Sequence, residues 1–239
     1  MNAPLEATRA RIEWGLQRFP GLAIATGLNV SGTVLIDLAV KAGFVGEVLF
    51  VDTGYHFPET VDLWHTLGAR YGQAQFVTLH GQNEADALYE RDPQLCCALN
   101  KVAPLYDHLA SRGVPALING RTRESATTRA TLQEVEDGTP TRINPLIAWS
   151  REELEAYRKE FELPAHPLYE DGFLSMGCWP CTRAVKPGED PRAGRFEGQA
   201  RTECGIWTSQ PSPDGGATEQ VPIRPVAAGA AQHITGTGE

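Results

Sequence analysis

Two cysteine pairs constrain this chain more than any other feature: the adjacent Cys96-Cys97 and the turn Cys178-Trp179-Pro180-Cys181. Thiolates are soft ligands that select zinc, Cu(I) or iron-sulfur clusters over hard cations. Four of them from two distant segments make the ligand set of a four-cysteine metal or iron-sulfur site. Gly177 and Pro180 shape a tight turn that can aim Cys178 and Cys181 the same way, as metal-binding turns do. The competing readings are a redox dithiol, a disulfide or small buried side chains, although adjacent cysteines are poor disulfide partners. Spacing alone leaves zinc and an iron-sulfur cluster both open. A fifth cysteine, Cys204, stands apart.

With 239 residues the chain is long enough to bury a core without staples, so its cysteines are not needed as a scaffold. A net charge of -9 argues against a nucleic-acid or anionic-membrane binder, because both carry a basic footprint. Any anionic ligand must then be met by local basic clusters. No apolar run reaches the roughly 20 residues of a membrane span, and the first residues lack the apolar centre of a signal peptide. The expected compartment is the cytoplasm, where thiols stay reduced.

The pattern along the chain is α/β. An amphipathic helix is expected over Pro4 to Phe19, ended by Pro20-Gly21. Leu22 to Ala25, Glu47 to Val51, Gln75 to Leu79 and Val114 to Asn119 read as strands. Between them Thr33 to Ala42, a segment opening near Pro58-Glu59, a turn at Ala85 to Tyr89 and Ala98 to Leu109 read as helical. Strands alternating with helices imply parallel pairing and a doubly wound, mostly parallel sheet. Beyond the fourth strand, Gly120 to Arg129 carries three arginines and several hydroxyls, which suits an anion site or a solvated loop. Ile143 to Leu146 reads as a short strand closing on a turn, and Ser150-x-x-Glu153 is a capping box for a helix running to Phe161. From His166 the chain turns to Gly, Pro and Arg, so little regular structure is expected. Beyond Trp207 large apolar residues are few, and a disordered tail is expected over 208–239.

Six segments in unchanged order resemble the assimilatory adenylyl-sulfate reductases, within the wider phosphoadenylyl-sulfate reductase family. They are Asp52-Thr53-Gly54-Tyr55-His56-Phe57-Pro58-Glu59-Thr60; Cys96-Cys97 with Lys101-Val102 and Pro104-Leu105; Ile143-Asn144-Pro145-Leu146; Gly177-Cys178 with Pro180-Cys181-Thr182-Arg183; Pro187 to Arg195; and Glu203-Cys204-Gly205. The resemblance implies an adenine nucleotide alpha hydrolase-like fold: an N-terminal helix over 1–20, an α/β nucleotide-binding core over 21–165, and a cluster-binding and catalytic segment over 166–207. It further implies that Cys96, Cys97, Cys178 and Cys181 hold a 4Fe-4S cluster and that Cys204 is the nucleophile. Adenosine 5′-phosphosulfate would be reduced to sulfite and AMP in sulfate assimilation, through a Cys204 S-sulfo intermediate resolved by thioredoxin or a glutaredoxin-like dithiol. By the same resemblance Lys101 lies between cluster and substrate, and Arg192 and Arg195 meet the sulfate and phosphate oxygens. Arg123 and Arg129 match the arginines of a family G-x-R-R stretch, and Thr53 lies near the adenosine pocket. Homo-oligomerisation is left open. The chain departs from the family at Asn29-Val30-Ser31-Gly32, where an acidic pair is usual, at Thr122 and Phe196, and at Trp207, where many members have histidine. The rival readings are the same chemistry on the 3′-phosphorylated substrate, or on both forms, and a non-catalytic, zinc-stabilised nucleotide-binding module.

Overall fold

The computed structural model describes residues 3–82, 87–199, 201 and 203–208. The expected tail therefore lies, from residue 209 on, outside the described residues, as do residues 85 and 86 of the turn expected at Ala85 to Tyr89.

Six strands form one sheet: β1 (Ala23–Ala25), β2 (Glu47–Asp52), β3 (Gln75–His80), β4 (Ala116–Asn119), β5 (Val135–Glu136) and β6 (Thr141–Ile143). Their order is β3-β2-β1-β4-β6-β5, and every pairing is parallel except β5 with β6. The helices α1 (Ala3–Arg18), α2 (Val30–Lys41), α3 (Pro58–Arg70) and α7 (Arg151–Glu160) cover one face. The run α4 (Leu88–Arg91), α5 (Pro93–Cys97) and α6 (Ala103–Ser111) follows β3, and α6 packs on the other face, joined there by Ile206 of the short α8 (Gly205–Thr208).

The alternation within β2 produces this doubly wound architecture. Val48 and Phe50 enter the core with Ile12, Leu35, Trp64 and Leu154, whereas Leu49 and Val51 enter the core with Leu105, Leu109 and Leu117. Successive strand side chains point to opposite faces, so a strand apolar at every position must be covered twice. The topology reverses between β1 and β4: β1 leads outward to β2 and β3, and the next crossover returns to the far side of β1. Open α/β sheets bind ligands at such a switch point, beyond the strands' carboxyl ends.

Several boundaries differ from the sequence reading, for local reasons. Helix α2 begins at Val30 because Asn29 is extended and serves as its N-cap. The helix expected to start after Cys96-Cys97 starts before them. Asp92 accepts hydrogen bonds from the Gln94 and Leu95 backbone N–H groups and Pro93 occupies the first turn, so α5 contains both cysteines. A π turn at Ala98–Val102 then carries the chain into α6. The strand expected at Ile143 to Leu146 is displaced to Thr141–Ile143, and β5 beside it had no evident pattern, being two residues long. The Ser150 capping box forms as read, with Ser150 Oγ accepting from Glu153 N and the Glu153 carboxylate from Ser150 N.

Candidate active site

Two cavities lie side by side beyond the sheet. The larger, about 260 Å³, is walled by the loops after β1 and β4 and by the C-terminal segment. Gly120 permits the two loops to meet, since a Cβ there would lie 3.0 Å from the backbone of Ser31. The smaller is lined by Cys96, Cys97, Cys178 and Cys181 together with Thr53 and Tyr55. Lys101 lines both.

The expected four cysteines therefore meet, although no disulfide joins any of them. Among the described residues, no three His, Cys, Asp or Glu side chains converge as a single bound ion would need. Helix α5 delivers Cys96 and Cys97. A short 3₁₀ turn at Trp179–Cys181 delivers the other pair, anchored by the Trp179 N–H donating to the Tyr55 carbonyl at 2.8 Å. Lys101 Nζ donates to Cys178 Sγ at 3.3 Å, and the Thr53 hydroxyl is 3.2 Å from the same sulfur. Thr53 thus stands in the cysteine cavity and does not line the larger one. Burial opposes the charge of Lys101, but the sulfurs of Cys178, Cys204 and Cys97 outweigh that and raise its pKa.

Cys204 lines the larger cavity with Lys101, Arg129, Arg192 and Arg195. It is hydrogen-bonded to Cys97. That bond, with the charges of Lys101 and Arg201, lowers the Cys97 pKa against the effect of burial. The same bond and burial push the Cys204 thiol up. Arg195 is held inside by Met176 and Cys181, whose carbonyls accept from its Nη1 and Nε at 2.6 and 3.2 Å. A Cβ at Gly177 would meet its guanidinium at 2.3 Å, so glycine there is what admits the arginine.

The arginines expected after β4 separate. Arg123 is turned away, its Nε and Nη2 donating to the Leu132 carbonyl at 3.1 and 3.0 Å, and it does not line the cavity. Arg121 lines it but is held by Glu136 and by the side-chain oxygens of Asn119 and Asn144. Arg129 forms a fork on Glu203, at 2.9 Å from Nε and 2.8 Å from Nη2, and Arg192 Nη2 reaches the same carboxylate at 3.4 Å.

Glu203, His56 and Arg201 were not among the expected site residues. Glu203 reads in the sequence as one more charge offsetting the arginines, yet its place beside Cys204 is the signal that could have marked it. His56 sits in the loop after β2 and lines the larger cavity. Arg201, three residues before Cys204, donates to Cys181 Sγ at 3.7 Å.

Residues 21–184 match the model of the phosphoadenosine phosphosulfate reductase domain, well over half of the chain. The chain belongs to the phosphoadenosine phosphosulfate reductase family. Within that family it is similar to an adenosine 5′-phosphosulfate reductase of Deinococcus radiodurans, 53% identical over 207 residues, covering 83% of this chain and 81% of the relative. It is also similar to a phosphoadenosine 5′-phosphosulfate reductase of Gloeobacter violaceus, 37% identical over 198 residues, covering 77% and 81%. Among solved structures it resembles the phosphoadenylyl-sulfate reductase of Candida auris in its phosphate complex. The TM-score is 0.64 at 27% identity, covering 74% of this chain and 90% of that one. Like other members of the reductase family it is an oxidoreductase acting on sulfur. No helix among the described residues is long and apolar enough to cross a membrane.

Proposed function

We propose that this family member reduces adenosine 5′-phosphosulfate to sulfite and AMP, with Cys204 as nucleophile. The observation that carries the reading is the position of Cys204: one cavity holds its thiol together with Lys101, Arg129, Arg192 and Arg195. A polyanionic substrate and a soft nucleophile need that combination.

The cations bind and orient the phosphosulfate, and guanidinium forks suit its oxygens better than ammonium does. The Cys204 thiol gives up its proton to solvent, favoured by the charge of Lys101, and the thiolate attacks the sulfur of the sulfo group. The S–O bond to phosphate breaks, and its electron pair leaves with AMP. Cys204 is left as an S-sulfo adduct. A thiolate of a thioredoxin or glutaredoxin-like dithiol attacks Cys204 Sγ and expels sulfite, giving a mixed disulfide. The dithiol's second thiolate closes its own disulfide and returns Cys204 reduced, so the dithiol supplies both electrons.

The four-cysteine donor set fits a 4Fe-4S cluster. Four thiols line one cavity, the number and type of ligands that such a cluster takes. Cys96, Cys97, Cys178 and Cys181 would hold it, and when bound it would act on the substrate electrostatically. Lys101, reaching Cys178 on one side and the larger cavity on the other, links the two sites.

Anaerobically purified protein tests both parts. Iron and acid-labile sulfide near four each per chain, with sulfite released from adenosine 5′-phosphosulfate and lost in Cys204→Ser, is the expected result. Colourless protein with bound zinc and no sulfite release would instead return the zinc-stabilised nucleotide module. Steady-state comparison of the two activated sulfates decides between them; equal or better turnover of the 3′-phosphorylated form would overturn the substrate assignment.

A further inference from the structure

Arg201 is the one residue of the Cys204 segment, among those described after Phe196, that lines the smaller cavity, and the mechanism gives it no task. Glu203, Cys204 and Ile206 line the larger cavity instead, so the segment straddles the wall between the two. The Arg201 guanidinium is held in a fixed direction. Its Nε donates to the Gln199 side-chain oxygen at 2.7 Å, and the group lies over the buried Phe196 ring, 4.6 Å from the centroid. Its Nη2 donates to Cys181 Sγ at 3.7 Å, and a second bond goes to Cys97. Gln199 Nε2 reaches Cys181 Sγ as well, at 3.8 Å. One arginine thus holds a sulfur of each cysteine pair.

Cys97 sits in α5 and Cys181 in the 3₁₀ turn, two elements with no disulfide between them. A guanidinium spans both sulfurs only while the pairs keep their spacing. A cluster ligated by both pairs fixes that spacing and puts negative charge on the sulfurs, which a planar fork of donors meets better than a single ammonium does. Glu203 fastens the segment to Arg129 and Ile206 fastens it to the α6 face, whereas Arg201 fastens it to the cysteines. We propose that Arg201 positions the nucleophile: by bonding one sulfur of each pair, it makes the seating of Cys204 depend on an intact four-cysteine site. This rests on the reading of those cysteines as cluster ligands and of Cys204 as the nucleophile. Arg201 does not line the larger cavity, so it acts through Cys204 and not on the substrate.

Labelling of Cys204 by N-ethylmaleimide, followed on its own peptide by mass spectrometry, tests this on the full chain purified anaerobically, before and after iron is chelated away. In the unaltered protein chelation should speed the labelling roughly 10-fold, the worth of about one charge-assisted hydrogen bond. Loaded Arg201→Gln should label roughly 10-fold faster than the loaded parent, and chelation should then add less than about twofold. Its affinity for AMP should stay within about twofold of the parent's, whereas a collapsed cavity would lose it. Arg201→Lys, which keeps the charge but reaches a single sulfur, should label at a rate between the two. Loaded Arg201→Gln labelled at the parent's rate overturns the inference, and so does a chelation effect as large in that variant as in the parent. Faster labelling accompanied by lost AMP affinity also overturns it, because it marks a collapse of the cavity. Should Arg201→Gln hold no iron, hydrogen exchange over 203–206 in the unaltered protein decides: faster exchange after chelation is expected, and an unchanged rate overturns the inference. An unaltered protein that carries no iron and sulfide overturns the cluster reading itself, and this inference with it.

Discussion

At the scale of single residues, the Glu203 carboxylate governs where Cys204 stands. It accepts from Arg129, Arg192 and the Thr128 hydroxyl, and the next residue is Cys204, the proposed nucleophile. Burial would raise its pKa, but Arg129 outweighs that and holds it below the usual carboxylate value. A depressed native pKa stabilises the docked segment fully above the unfolded value, about 4.3. That stabilisation is lost as pH falls through the lowered native value. Acid should therefore undock the segment, seen as faster hydrogen exchange over 203–206 below about pH 4, with no matching change in Glu203→Gln. The same variant should lose roughly 10²-fold in kcat, since it frees the segment that positions the nucleophile. A kcat within twofold of the parent would show that the clamp does not position Cys204. The cysteines and Cys204 were legible in the sequence because their residue type names their chemistry. Thr53, Arg123 and Glu203 were not, because an ordinary hydroxyl, arginine or glutamate acquires a role only from what it faces. Arg123 faces the Leu132 carbonyl and Arg129 faces Glu203, although seven residues of one loop hold both.

At the scale of elements, the cysteine pair depends on the start of α5. Asp92 Oδ1 accepts from the N–H groups of Gln94 at 3.1 Å and Leu95 at 2.9 Å, and a five-residue helix has little else to hold its first turn. Asp92→Ala should cost about 1 kcal/mol in urea unfolding, and Asp92→Asn much less, because asparagine caps as well. In the alanine variant Cys96 and Cys97 should also react faster with a maleimide once any bound metal is removed. Equal rates would mean the π turn alone fixes them. The strands that cross the sheet were readable because β2 is apolar at consecutive positions, the mark of a strand buried on both faces. The boundaries of α2 and α5 were missed where extended or capping residues, Asn29 and Asp92, decide them without any apolar period.

At the scale of the whole molecule, the described part of the C-terminal segment docks through Glu203 and Ile206. Ile206 packs against the α6 face, the Tyr106 hydroxyl donates to the Ile206 carbonyl at 3.1 Å, and Glu203 holds its arginines. Ile206→Ala removes about 1–2 kcal/mol of that docking, for a half-buried side chain. Alkylation of Cys204 should then speed up roughly 10-fold while the unfolding midpoint of the sheet barely moves. A shift of the whole unfolding transition would show instead that the segment is part of the core. AMP should slow the same alkylation by filling the cavity beneath the segment, a protection read from the same assay.

Lys101 faces both cavities, and its consequence is evolutionary. One ammonium bonds Cys178 and lines the larger cavity at once, so a substitution there cannot adjust one cavity while sparing the other. Variation around the larger cavity is therefore expected to accumulate at neighbours such as His56, which line that cavity alone, before it touches the residue shared by two.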